Sequence, residues 1–294
     1  HLVRNYVALV YFFAGVAKLN PDWLRAQPLL MWMEERADTP LIGSFLAWDP
    51  TAWLMSYAGL GLDLLAAPLL LWRRTRVGMV VVLGAFHLSN ALVFDIGIFP
   101  WMMLAADLLF LEPGWPRRWV RRLRGADLVR LPAGPPIAIS GALVAFLVAF
   151  FAVQVLLPLR HLVYPGRPSW SEEGHWFAWH MKLRTKRGLV RMRVIDSESG
   201  KTEIVYPSSF LSERQERKSR GNPELIRQIA VHLRRQAEAE GRQVTVRVDT
   251  RTRLNGRAPQ ALIDPQVDLS RVEWAWAPAP WIMPLEQPLP GWDW

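Results

Sequence analysis

Val10-Tyr11-Phe12-Phe13-Ala14-Gly15-Val16-Ala17-Lys18-Leu19-Asn20-Pro21-Asp22-Trp23 is an apolar run that delivers one lysine at its end and then stops. It predicts a membrane helix closed by Asn20-Pro21. A lysine in that place has two readings. It can end the helix and snorkel its ammonium to the interface. It can also be a buried amine, and because desolvation disfavours the charged form of an amine, such a group can serve as a base.

Outward from this run, Thr51 to Trp72 is apolar but for Asp63, Val77 to Phe94 is a second apolar stretch, and Pro136 to Leu159 is a third with no charge at all. At about 1.5 Å per residue each is long enough to cross roughly 30 Å of hydrocarbon. Ile96 to Leu111 is shorter and carries Pro100 and Asp107, so it either spans or re-enters. Arg73, Arg74 and Arg76 precede it, and Arg117, Arg118, Arg121, Arg122 and Arg124 follow it. Only a span puts both clusters on one side, as the positive-inside rule expects, so it is read as a span. The lysine end of the first helix, the loop from Asn20 to Asp49 and everything after Arg160 then lie on the non-cytoplasmic side.

After Arg160 the pattern changes. Met181 to Lys186, Val190 to Ile195 and Thr202 to Tyr206 read as short strands, with Ser197-Glu198-Ser199-Gly200 as a turn. Asn222-Pro223 starts an amphipathic helix that Gly241 stops. Val244 to Leu254, the turn Asn255-Gly256 and Ala258 to Ile263 read as a second hairpin. The fold expected is a polytopic α-helical transmembrane bundle followed by a small α+β extramembrane domain, with domains at 1–160 and 161–294.

Composition narrows the function. The 294 residues carry a net charge of +9, which in a soluble protein would point to nucleic acid. Beside apolar helices and 16 tryptophans it fits basic loops facing anionic lipid instead, so the bilayer is the expected partner and nucleic acid is not. With no cysteine the sequence can form no disulfide and no thiolate site. His161, His175 and His180 lack the spacing of a zinc helix, so no metal is expected. His87 falls about 15 Å into its helix, near the bilayer centre, where a polar group must be paired or functional. Its structural reading is a histidine satisfied by Ser89, Asn90 or a neighbouring helix. Asp63 and Arg4 read as a structural pair or as interface residues.

Several stretches together carry a family resemblance: the lysine run, Phe86-His87-Leu88-Ser89-Asn90, Ile96-Gly97-Ile98-Phe99, Glu112-Pro113-Gly114-Trp115-Pro116-Arg117, the pair Trp170 and Trp179, Asp264-Pro265-Gln266-Val267-Asp268, and Trp281-Ile282-Met283-Pro284-Leu285. In this order they resemble the vitamin K-dependent gamma-glutamyl carboxylase family, also described as the horizontally transferred transmembrane domain. The chain starts at His1 without methionine and resembles an N-terminally incomplete member.

The resemblance implies a membrane enzyme that oxidises a reduced naphthoquinone. Lys18 would take the proton of vitamin K hydroquinone; with O2 the quinol ends as its epoxide, and the strong base formed on the way removes a proton from a protein glutamate, whose carbanion captures CO2. His87 matches a family histidine and is the second catalytic candidate. By position instead, the cofactor-binding candidates are Asn90, one turn beyond His87 and alternatively its lock, and Phe99 and Trp101, near the depth of Lys18, which either wall a flat ring or pack in the core or interfacial belt. Where animal members have a second lysine just before the base, this chain has Ala17, so desolvation has to prepare the amine unaided. The competing reading is a non-catalytic membrane protein of the same fold that binds a partner or lipid through its outer domain. Lys18 exposed to bulk water would favour that reading, and Lys18 facing an apolar cavity would favour the enzyme.

Overall fold

The computed structural model describes residues 2–94, 96–124 and 140–290. The chain divides into two compact units, one of residues His1–Leu19 and Tyr57–Leu157, the other of Asn20–Ser56 and Pro158–Trp294. Helix α4 (Asp49–Leu71) contributes its first turns to the second unit and the rest to the first.

The first unit is a helical bundle. Helix α1 (Leu2–Lys18) ends at the lysine, as the Asn20-Pro21 stop requires. It packs against α4, α5 (Arg76–Val93) and α6 (Phe99–Leu108) around a core of Val7, Tyr11, Ala66, Leu70, Met79, Leu83, Met103 and Phe110. Helices α7 (Trp115–Arg124) and α8 (Gly141–Leu159) follow. Asp49–Leu71, Arg76–Val93 and Gly141–Val163 are long and apolar enough to cross a membrane. Residues 136–139 of the expected third run lie outside the described residues.

One expected span is shorter than a full crossing helix. The helix between Ile96 and Leu111 has only 10 residues, a rise of about 15 Å and half a hydrocarbon core. Gly97 takes a left-handed turn with φ +64°, Pro100 sits in the first turn, and the chain turns again after Leu108. Even so, the two basic clusters meet at one end of the bundle. Glu112 lies 3.6 Å from Arg73 and 2.8 Å from Arg118, so one arginine of each cluster shares this carboxylate. Arg4 is not the partner of Asp63; it donates to the carbonyls of Leu109 at 2.5 Å and Leu111 at 2.8 Å, which the end of α6 leaves unsatisfied.

In the second unit an antiparallel sheet has strand order β2-β1-β3, with β1 Lys186–Asp196, β2 Thr202–Val205 and β3 Val244–Leu254. Val190, Met192 and Val194 alternate inward on β1 and register with Thr250, Val248 and Val246 of β3. Against that face lies α11 (Pro223–Ala239), which buries Ile226, Ile229, Ala230, Leu233 and Ala237. Asn222 caps it, accepting from Leu225 N at 3.1 Å, and Gly241 ends it with φ +76°. Short helices α9 (Pro168–Ser171) and α10 (Glu213–Ser219) flank the sheet, the latter opened by a Ser212–Gln215 capping box.

Two strand expectations are revised. Residues 181–185 are not a strand of their own; β1 starts at Lys186 and runs unbroken through Gly188. Ala258 to Ile263 does not pair along β3; among the described residues it makes only the isolated bridges Thr252–Gln260 and Ile263–Ile282. Asn255 and Gly256 do form the left-handed turn, but Pro259 has no N–H for a ladder, and the long partner of β3 is β1.

Residues Asn20–Ser56 belong to this unit with helices α2 (Leu29–Glu34) and α3 (Gly43–Leu46). Their anchor is the buried Asp22. Arg257 grips it with two bonds, NH1 to Oδ2 at 2.6 Å and NH2 to Oδ1 at 2.7 Å, while Asn255 donates to Oδ2 at 2.8 Å and Arg167 to Oδ1 at 2.9 Å. Burial by itself would raise this carboxyl, yet the Arg257 bonds and charge, with Asn255 and Arg167, hold it below its ordinary range.

Candidate active site

Close approach of two helices makes the site. A Cβ built on Gly15 would lie 2.9 Å from the backbone nitrogen of Leu64, so only glycine lets α1 come this near α4. That contact lies one residue beyond Asp63 on α4 and one turn before Lys18 on α1. Lys18 is accordingly 8 % exposed, with its ammonium donating to the carboxylate of Asp63 and, at 3.4 Å, to the carbonyl of Ala14. The interface-anchor reading requires an amine in water, and this one is buried. The amine also has a carboxylate within hydrogen-bond reach, a partner that the sequence reading did not give it.

Two turns earlier on the same face of α1, Tyr11 forms a second buried cluster. Its hydroxyl donates to Asp107 Oδ1 at 2.8 Å and lies 2.7 Å from His87 Nε2. A hydroxyl has one proton; since that proton goes to Asp107, the network assigns the His87 proton to Nε2, which donates to the tyrosine oxygen. The other oxygen of Asp107 is 3.6 Å from His87 Nε2 and, among the described residues, accepts no hydrogen bond. Tyr11, His87 and Asp107 are all buried, so a proton can be passed along them without meeting water.

The structure thus treats the five candidates unequally. Lys18 and His87 are buried, on networks joined by seven residues of α1, a rise of about 10 Å. Asn90 is half-buried and is not the partner of His87; Ser89 bonds back to Ala85 O at 2.7 Å. Phe99 packs against the bundle core, and Trp101 is 54 % exposed at the start of α6. Sequence reading missed Tyr11 and Asp107 and gave Asp63 the wrong partner. The available signal was the cost of a carboxylate in a spanning segment, which obliges a partner without naming it.

The outer unit carries its own buried charges. Glu172 accepts from Lys186 at 2.9 Å and from Arg184, and burial lowers Lys186 to about 8 although the Glu172 carboxylate pulls the other way. His161, His175 and His180 do come together, with ring centroids 4.7 and 5.7 Å apart for His161–His180 and His175–His180. Burial first pushes His175 and His180 down to about 3, helped by Arg184 and Lys186 at His175 and by the other two imidazoles and Arg184 at His180. Among the described residues no group of three His, Asp or Glu could hold a metal ion.

Two family models match the chain. Residues 140–288 match the vitamin K-dependent gamma-carboxylase, lumenal domain, and residues 1–115 match the HTTM domain. No solved structure matches.

Proposed function

From the membership of this chain in the vitamin K-dependent gamma-carboxylase lumenal-domain family, which makes it a gamma-carboxylase-like membrane protein with a lumenal domain, we infer an enzyme that deprotonates a reduced naphthoquinone. The observation that carries the reading is the buried Lys18–Asp63 pair at the end of α1. An amine can take a phenolic proton only after losing its own, and Asp63 offers that proton a place to go within the pair. The apolar surroundings suit a flat, uncharged quinol, and the bilayer is its reservoir. When bound, vitamin K hydroquinone with O2 supplies the oxidising chemistry that ends at the epoxide, and CO2 is the co-substrate of any coupled glutamate carboxylation. His87, held by Tyr11 and Asp107, is the second group that can hold a proton. We assign Asn90, Phe99 and Trp101 to the wall of the quinone site.

The topology proposed with this activity has residues 1–160 as the transmembrane domain and 161–294 as an extramembrane domain on the non-cytoplasmic side, where a glutamate-containing protein or peptide would meet it. Burial of Lys18 supports the enzyme over a binding-only protein of the same fold.

The test is oxygen-dependent epoxide formation from vitamin K hydroquinone by the full-length protein in detergent. Lys18→Ala should abolish it while the protein still folds. Lys18→Arg should fail as well, because a guanidinium stays protonated at any accessible pH. Full activity in Lys18→Arg overturns the assignment, and rescue of Lys18→Ala by small amines supports it.

A further inference from the structure

Among the described residues two apolar surfaces of the outer unit stand uncovered, and each abuts the end of a helix long and apolar enough to span. The first precedes α4. Leu41 is fully exposed, Phe45 is 56 % and Trp48 60 % exposed, and Asp49 starts the helix at the next residue. The second lies at the other end of the span Gly141–Val163. There Trp176, Phe177, Trp274 and Trp276 are each more than half exposed.

The second surface is tied to the emerging helix by direct bonds. Arg160, the first residue after α8, donates to Trp176 O at 3.1 Å and places its guanidinium 5.1 Å from the centre of the Trp276 ring. Tyr164 donates to Trp276 O at 2.7 Å, and the rings of Trp274 and Trp276 meet edge to face at 4.9 Å. The aromatic cluster is therefore bonded to the residues that directly follow α8. Between these residues runs an open groove of about 720 Å³. Arg160 Nε beside it is buried and, among the described residues, has no hydrogen-bond acceptor.

We propose that these two surfaces seat the outer unit in the interfacial layer of the bilayer, with lipid headgroups against Arg160 and acyl carbons against the tryptophans. Three observations choose lipid over another protein. The patches are continuous with the ends of membrane spans, so lipid reaches them without any partner being recruited. Their composition is that of an interfacial belt, tryptophans apolar in body and polar at one edge, with apolar neighbours and an arginine beside them. Exposed apolar area of this extent is uncommon on a surface that meets only water. The proposal goes beyond the quinol reading and stands whichever chemistry Lys18 performs.

Because the chain has no cysteine, single substitutions can be labelled uniquely. Phe45→Cys, Phe177→Cys and Trp276→Cys would each carry a bimane label in the full-length protein, in nanodiscs of phosphatidylcholine and phosphatidylglycerol with nitroxide lipids labelled near the headgroup. Ser199→Cys, in the exposed β1–β2 turn, is the control. Quenching at the three sites should exceed that at residue 199 several-fold. Quenching no greater than the control overturns the proposal, as does a blue-shifted emission without quenching, which means that protein covers the patch. Since the label could disturb one position, the readings at Phe177 and Trp276 check each other across the same groove.

Discussion

Replacing Asp63 by leucine should show whether Lys18 is held as the structure has it. The two side chains are 10 % and 7 % exposed, so removing either leaves a polar group stranded in an apolar bundle. Breaking a buried pair from one side costs about 3–5 kcal/mol. At about 2–4 °C per kcal/mol for a chain of this size, Asp63→Leu or Lys18→Met alone should lower the melting temperature by about 6–20 °C. The double variant removes both charges, keeps apolar volume, and should recover most of the loss, since apolar replacement of a whole buried pair is often neutral. Thermal unfolding of all four proteins in one detergent gives the coupling as a double-mutant cycle. Epoxide formation read on the same samples should be absent from all three variants, including the stable double. Single losses below about 1 kcal/mol, or a double variant equal to the sum of the singles, would refute the buried pair.

Three further outcomes are expected. His87→Ala should impair quinol turnover far more than accumulation of folded protein, whereas Tyr11→Phe, which takes the shared hydroxyl from both His87 and Asp107, should also cost about 1–3 kcal/mol in thermal unfolding. Protease added to spheroplasts should digest residues 169–294; digestion only after the inner membrane is broken would reverse the topology. The folded carboxyl of Asp22 lies below its ordinary value of 3.8, so its bonds to Arg257 stabilise the outer unit above that pH and are lost as pH falls through the folded value. The stability gap between wild type and Asp22→Asn should therefore be constant near neutrality and shrink below about pH 4, read by tryptophan fluorescence.

What could be read from the chain alone came from local physics. Long apolar runs have few fates in water, so the spanning stretches showed themselves at Thr51, Val77 and the uncharged run before Leu159. The stop after Lys18, the Asn222 cap and the Gly241 terminator are written in residues next to the elements they bound. The family words, lying in order along the sequence, pointed to Lys18 and His87 without any knowledge of what surrounds them.

Pairings across long separations belong to the tertiary structure. Lys18 meets Asp63 across 45 positions, and Tyr11 reaches His87 and Asp107 across 76 and 96. Sequence could say that each of these groups needed a partner, because an unpaired polar group is costly in hydrocarbon, but the cost is the same whichever partner satisfies it. The choice fell to packing, above all to Gly15, whose missing side chain lets α1 close on α4. The same limit appears at Ala258 to Ile263, where strand-like residues follow a correct turn yet meet the outer edge of β3 at the bridge Thr252–Gln260 without forming a ladder. Local preference selects the elements and their ends, while the competition among distant surfaces for the same partner is decided only when the chain packs.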